Sequence, residues 1–452
     1  MQRSINPFNQ TLLRAFDVLS ESALRKKIQI AQIAFHDWRR TSFTERATLL
    51  NRAADILDRN AGEYARTITL EMGKILKESE SEVKKCADGC RYFAANAETF
   101  LKDEVVDTGA HKSYVCYQPT GVILGVMPWN FPLWQVFRFA APALMAGNVG
   151  LLKHSSNTPQ CSLLIEQVFR EAGFPEGVFQ SLIIDNEAVS MILTHDAVQG
   201  VALTGSEKAG SVVASVAGKN IKKSVLELGG SDPFVVLPDA DLELTVRVAT
   251  QSRMQNAGQS CIAAKRFIIH EAVKDDFIER FRVAVDAIVQ GDPMHSATTM
   301  GPMARTDLAE SLELQLKQSL SQGARLITGS QRMGANFEPT LIDKVKPGMT
   351  AFDEETFGPL ASVTYVKTEE EAVHLANSSR YGLGASIWTR DVSKGESLAR
   401  RIESGTVYVN SLMRSDARMP FGGIKKSGYG RELAEAGIKE FSNAKSVIIS
   451  SS

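Results

Sequence analysis

The chain has 452 residues, with 51 Lys and Arg against 52 Asp and Glu and a formal charge of −1. At 44% hydrophobic and 23% charged residues it has enough apolar sequence for two or three packed domains, which excludes a disordered chain. The balanced charge, with no long run of either sign, excludes a polybasic surface for nucleic acid or membrane.

The amino end, MQRSINPFNQTLLRAF, lacks the apolar core of a secretory signal. Five cysteines, without a C-x-x-C pair, argue against a disulfide framework or a cysteine zinc site and predict a reducing, cytoplasmic setting. No H-E-x-x-H or other metal spacing occurs.

Residues 1–100 read as helical scaffold. Ser42 and Glu45 have capping-box spacing, and Leu49, Leu50, Ala53, Ile56 and Leu57 recur on one face. Residues 101–119 read as two extended arms around DTGA, either a surface hairpin or an oligomerisation element.

From Gly121 the pattern changes. GVILGVM, NVGLLK, VFQSLII, VQGVALTG and KKSVLEL alternate with amphipathic stretches, which predicts parallel βαβ units in a doubly wound sheet. FRFAAPALMAGNVGLL is the most apolar run, but Arg138, Pro142, Gly147 and Asn148 interrupt it, so it does not read as a membrane span. PFVVL, RFIIH, SVTYVK, ASIWT and TVYVN form a second such series after Gly229. The fold class is therefore α/β, with two doubly wound Rossmann-like domains and a small β extension. The expected units are 1–100 with 120–228, 229–436, and the strands 101–119 with 437–452.

Several segments have chemistry-bearing residues, each with a plainer alternative. Asn130, before a helix, suits an oxyanion donor or a helix cap. Lys153 ends a strand, where α/β sheets bind ligands, or is a solvated lysine. Gly205 and Ser206 open a helix that suits a phosphate, without a G-x-G-x-x-G pattern. Glu227, in VLELGG, suits a general base or a salt-bridged hinge carboxylate. Cys261, in NAGQSCIAAKR, is a nucleophile or a small core residue.

Taken in order, PWNFP (128–132), GN (147–148), LK (152–153), TGS (204–206), LELGG (226–230), GQSC (258–261), EETFGP (354–359) and PFGGIKKSGYGRE (420–432) resemble the aldehyde dehydrogenase superfamily. The helix after PWNFP and the segment SDARMPFGG are most similar to its bacterial succinate-semialdehyde dehydrogenase subgroup. That resemblance implies Cys261 as nucleophile, Glu227 as base and Asn130 as oxyanion donor with the Cys261 N–H. It implies cofactor contacts at Trp129, Asn130, Lys153, Ser156, Gly205, Ser206, Leu228, Glu355 and Phe357. For the three units it implies a dinucleotide-binding role (1–100 and 120–228), a catalytic role (229–436) and an oligomerisation role (101–119 and 437–452).

It also implies oxidation of an aldehyde to a carboxylate through a cysteine thiohemiacetal and a hydrolysed thioester, with a homodimer or homotetramer as assembly. Many NAD-preferring relatives have a glutamate where this chain has Ser156; the hydroxyl implies that NADP is accepted and preferred, with NAD as the alternative. Arg138 matches a carboxylate-binding arginine, and Ser260 and Ser415 are further substrate contacts. A second arginine of some relatives is here Gln255, and a second cysteine of others is Ala263. Glutarate semialdehyde, a small uncharged aldehyde, a silent binding protein and a cysteine hydrolase are the competing readings.

Overall fold

The computed structural model describes residues 1–451. Two parallel sheets organise it. The first contains Val122–Met127, Val149–His154, Phe179–Ser181, Val198–Thr204 and Lys223–Glu227. Numbered in chain order, these strands lie 3-2-1-4-5 across the sheet and pair in parallel. Every residue of VGLLKH is buried, as a strand covered by helices on both faces requires.

The second sheet repeats the order with Asp232–Val236, Ala264–His270, Leu360–Val366, Gly384–Trp388 and Thr406–Val409. Thr340–Asp343 extends it in parallel, and Arg325–Thr328 adds an antiparallel edge. In both sheets the chain reverses direction between the first and fourth strands. This leaves a crevice at their carboxyl ends. Only Leu228–Ser231 separates the last strand of one sheet from the first strand of the other.

Helices Glu21–Trp38, Phe43–Arg59, Ala61–Met72 and Leu76–Phe100 join the core of the first sheet. The capping box at Ser42 forms in both directions: Ser42 Oγ accepts from the Glu45 N–H at 3.2 Å, and Glu45 Oε2 accepts from the Ser42 N–H at 2.7 Å. Residues 1–16 depart from the helical expectation. They form a hairpin, Gln2–Ile5 with Leu12–Phe16, because Asn6 and Pro7 turn the chain: Asn6 Oδ1 accepts from the Phe8 N–H at 2.9 Å.

The arms around DTGA pair as Glu104–Val105 and Lys112–Pro119, and Ser442–Ile449 adds a third antiparallel strand along the whole of the longer arm. One boundary moves. Gly428–Tyr429 pairs antiparallel with Leu226 and Glu227, and Phe421, Leu433 and Ile438 enter the core of the first sheet. The stretch 428–436, expected in the catalytic unit, therefore packs on the first one. Among the described residues no helix is long and apolar enough to cross a membrane.

Candidate active site

Cys261 sits in the turn between the helical segment Gln255–Gly258 and the strand Ala264–His270. Three consecutive left-handed residues deliver it: Asn256 (φ 54°), Ala257 (φ 50°) and Gly258 (φ 71°). For the two non-glycine residues this costs about 1–2 kcal/mol each, so the loop must be held from outside. The fully buried Arg253 is one clamp. It donates to Gly258 O at 2.7 Å, Ala264 O at 3.2 Å and Thr356 O at 3.3 Å, and also to Gly358 O. Gly258 must lack a side chain, because a Cβ there would stand 2.3 Å from Gly358 O.

A buried lysine props the turn from below. Lys265 Nζ donates to Cys261 O at 2.7 Å and Ser260 O at 3.0 Å. Burial pushes the Cys261 thiol up to about 11, against the opposing pull of Arg138 and Lys265. At neutral pH the resting group is thus a thiol, and its proton must leave when the sulfur attacks.

The Asn130 side chain lies on the same loop. Its Nδ2 donates to Gln259 O at 3.1 Å, and its Oδ1 accepts from Gln135 Nε2 at 3.1 Å. An amide nitrogen has two hydrogens, so one remains for a ligand. Among the described residues nothing accepts from the Cys261 N–H. Two donors are therefore free on the Cys261 loop, the number an oxyanion hole uses. Asn130 is not a helix cap. That task falls to Glu82, which accepts from the Leu133 and Trp134 N–H groups at 2.9 and 3.0 Å.

Glu227 ends its strand with the carboxyl group buried and both oxygens without a hydrogen-bond partner. No lysine pairs with it, so the hinge alternative does not hold. Burial raises its pKa well above the usual carboxylate range, Glu432 adds to the effect, and Arg138 opposes it. A Cβ on Gly422 would stand 2.6 Å from Glu227 Oε1. The second glycine-rich motif thus makes room for the carboxyl of the first.

Cys261 opens into a cavity of about 360 Å³, lined also by Ser260, Arg138, Trp134, Ser415 and Lys85. Three of the expected substrate contacts thus share one space with the sulfur. Arg138 reaches this wall already engaged. It forms a buried ion pair with Glu432, donates to Thr204 Oγ1 at 3.2 Å, and lies 4.6 Å over the Phe421 ring.

Lys85 was missed by the sequence reading, which assigned its helix to scaffold. That helix, Leu76–Phe100, presents charged residues at positions i, i+4 and i+7 along one face. Glu78 accepts from the Asn256 N–H at 2.9 Å, and burial lifts it to about 7. Glu82 pairs with Lys74 as well as capping the helix Trp134–Met145. Lys85 donates to Ser415 Oγ at 2.8 Å. Polar residues amid the buried Val83, Cys86 and Cys90 were the available signal.

The candidate cofactor residues occupy the carboxyl edge of the first sheet and the loop facing it. Lys153, the last but one residue of its strand, has Nζ 2.6 Å from Asn186 Oδ1; Ser156 follows beyond the strand, exposed. Ser206 caps the helix Glu207–Lys219, accepting from the Ala209 N–H at 3.3 Å. Leu228 packs so closely on Gly210 that a Cβ there would stand 2.6 Å from its Cδ2.

Across from them, Trp129 and Phe357 meet edge to face at 5.8 Å. Glu355 Oε1 accepts from the Gly230 N–H at 3.0 Å and lies 3.6 Å from Lys265 Nζ. A Cβ on Gly229 would stand 2.2 Å from Glu355 Oε2, so the paired glycines are the seat of that carboxylate. His154 ties the PWNFP loop to the Lys153 strand. Its Nδ1 accepts from the Ser155 N–H at 2.8 Å, which leaves Nε2–H to donate to Pro132 O at 2.8 Å.

Known proteins carry the same chain plan. A "Probable succinate-semialdehyde dehydrogenase [NADP(+)]" of Synechocystis sp. is 49% identical over 449 residues, covering 99% of each chain. A "Succinate-semialdehyde dehydrogenase [NADP(+)] 1" of Mycobacterium bovis is 46% identical over 452 residues, again with 99% of each chain covered. The crystal structure of succinic semialdehyde dehydrogenase from Streptococcus pyogenes, in complex with NADP+, superposes with a TM-score of 0.98 at 37% identity over 100% of both chains. Residues 1–447 match the aldehyde dehydrogenase family model, and the chain belongs to that family.

Proposed function

We propose that this chain oxidises succinic semialdehyde to succinate, with NADP preferred over NAD as acceptor. The observation that carries the reading is Cys261, on a loop with two unspent donors, at one wall of a cavity whose other walls include Arg138 and Lys85, with the carboxylates Glu78 and Glu82 already engaged. The related enzymes named for this substrate and cofactor support it.

The residues at the carboxyl edge fit a phosphorylated dinucleotide. Lys153 and the exposed Ser156 hydroxyl are donors, and no carboxylate stands at position 156 to repel a 2′-phosphate. When bound, NADP accepts the hydride. Trp129, Lys153, Ser156, Gly205, Ser206, Leu228, Glu355 and Phe357 would hold it.

The chain's own groups do the rest. The Cys261 thiol gives its proton to solvent water in the open cavity, and the sulfur adds to the aldehyde carbon as the carbonyl π electrons move onto oxygen. The new oxyanion takes hydrogen bonds from Asn130 Nδ2 and the Cys261 N–H. Loss of hydride leaves a thioester on Cys261. Glu227, whose burial makes it a stronger base than an ordinary carboxylate, takes a proton from water as the oxygen attacks that thioester. Arg138, Ser260 and Ser415 orient the substrate's far carboxylate.

We place the protein in the cytoplasm as a homo-oligomer, dimer or tetramer, that pairs through the sheet ending in Ser442–Ile449. Ile448 and Ile449 on that strand are exposed in the single chain. An aldehyde panel with each cofactor, followed by reduced-nicotinamide absorbance, tests the proposal. The highest kcat/KM is expected for succinic semialdehyde with NADP. A maximum at glutarate semialdehyde or at an uncharged aldehyde overturns the substrate, and a higher kcat/KM with NAD overturns the cofactor.

A further inference from the structure

We infer that Lys85, acting with Ser415, is the specificity-determining cation that seats the substrate's distal carboxylate. The inference rests on the proposed substrate and names a residue that the reading above does not use. A distal carboxylate entering the cavity needs a positive group whose charge is not already balanced.

Arg138 does not meet that need alone. Its guanidinium is paired with the buried Glu432 and bonded to Thr204. Gln255, on another wall of the same cavity, is neutral, and Arg414 is exposed at the rim, where solvent screens it.

Lys85 is different on each count. It is half-buried, and its Nζ lies 4.3 Å over the Trp134 ring, a contact that supports the ammonium. Burial and the Arg138 charge oppose it and together lower its pKa to about 8, so that it is still mostly charged at neutral pH. The carboxylates around it are engaged elsewhere: Glu78, on the same cavity wall, with the Asn256 N–H at 2.9 Å, Glu82 with Lys74, and Asp416 with Arg418 at 2.6 Å. One of its three N–H groups goes to Ser415 Oγ, which leaves two for a ligand.

Ser415 completes the seat. Its oxygen accepts from both Lys85 Nζ at 2.8 Å and Trp134 Nε1 at 2.9 Å. With both lone pairs occupied, its O–H is committed to donating. An ammonium and a hydroxyl donor, side by side on an aromatic floor, match the two oxygens of a carboxylate.

The test compares succinic semialdehyde with butanal, an uncharged aldehyde of equal chain length. It uses the full-length wild type and the Lys85→Met, Lys85→Arg and Ser415→Ala variants. Losing a charge-assisted contact predicts that Lys85→Met lowers the ratio of the two kcat/KM values by about 30- to 100-fold, mainly through KM for the semialdehyde. Lys85→Arg should restore the ratio to within about fivefold, and Ser415→Ala should lower it by roughly tenfold. A Lys85→Met enzyme that keeps the wild-type ratio, or loses both substrates equally, overturns the inference while leaving the proposed substrate intact. A wild type with no preference for the semialdehyde overturns both.

Discussion

Replacing Arg138 by Met should unbalance a buried cluster, and replacing Glu432 by Gln as well should rebalance it. Arg138 and Glu432 are both nearly inaccessible and paired with each other. Removing the guanidinium leaves the Glu432 carboxyl buried with no counter-charge, beside Glu227, whose pKa is already raised. Breaking such a pair costs about 3–5 kcal/mol, and the lost Thr204 hydrogen bond adds about 1. The cost must depend on pH. Without Arg138 the folded-state pKa of Glu432 rises further above its unfolded value. The folded protein then holds a proton that the unfolded chain releases, so stability falls as pH rises between those two values. Urea unfolding at pH 6 and pH 8.5 reads this directly: Arg138→Met should lose more at pH 8.5. Arg138→Met/Glu432→Gln should recover most of the loss and shed the extra pH dependence. A double variant as unstable as the single one would refute the argument that Glu432 is the partner Arg138 neutralises.

Four further outcomes are expected. Ser156→Glu should raise KM for NADP by about 100-fold or more while sparing NAD, because a carboxylate there repels the 2′-phosphate; unchanged cofactor selectivity would remove Ser156 from that site. Glu227→Gln should form about one equivalent of reduced nicotinamide per active site in a burst and then stall as the thioester, and undiminished steady-state turnover would exclude Glu227 as the base. Gly229→Ala should displace Glu355 from its seat and lower kcat/KM for cofactor by about 10- to 100-fold, with little loss of thermal stability because a flexible carboxylate yields. In cofactor-free protein, iodoacetamide labelling of Cys261 should quicken about tenfold per pH unit up to pH 10, since its thiol lies at about 11; a plateau near pH 8.5 would contradict the burial.

The parts of the site that were legible in the sequence are those fixed by the backbone. Asn130, Lys153, Gly205 and Glu227 stand at or just beyond the carboxyl ends of apolar strands, and a strand followed by a polar or glycine turn is visible in one dimension. Two doubly wound sheets are expected from strand and helix alternation, while their shared 3-2-1-4-5 order is seen only in the structure, because alternation limits the topology without fixing it. What escaped depends on contacts between distant segments. The two-residue strand Gly428–Tyr429 has no periodicity to read, yet its pairing with Leu226 and Glu227 moves a boundary. On the helix Leu76–Phe100, Glu78, Glu82 and Lys85 read as ordinary surface charges because charge on a helix usually faces water. Their place among the apolar Val83, Cys86 and Cys90 is a faint sign of burial, and the partners become visible only in the structure.

These charges divide the work of the site in a way that follows from the needs of its base. Glu227 must keep a high pKa to take a proton from water, so a free guanidinium beside it would defeat its purpose by stabilising the carboxylate. Glu432 resolves the conflict. By pairing with Arg138 it opposes that positive charge and adds its own repulsion to the burial that raises Glu227. The same pairing weakens Arg138 as a receptor for the substrate's carboxylate. The cation that meets that need therefore belongs on a different element, and Lys85 on the helix Leu76–Phe100 has that position: it contacts Ser415 and Trp134. Substrate charge and general base then rest on different side chains, linked through Arg138, whose charge lowers the pKa of both Lys85 and Glu227.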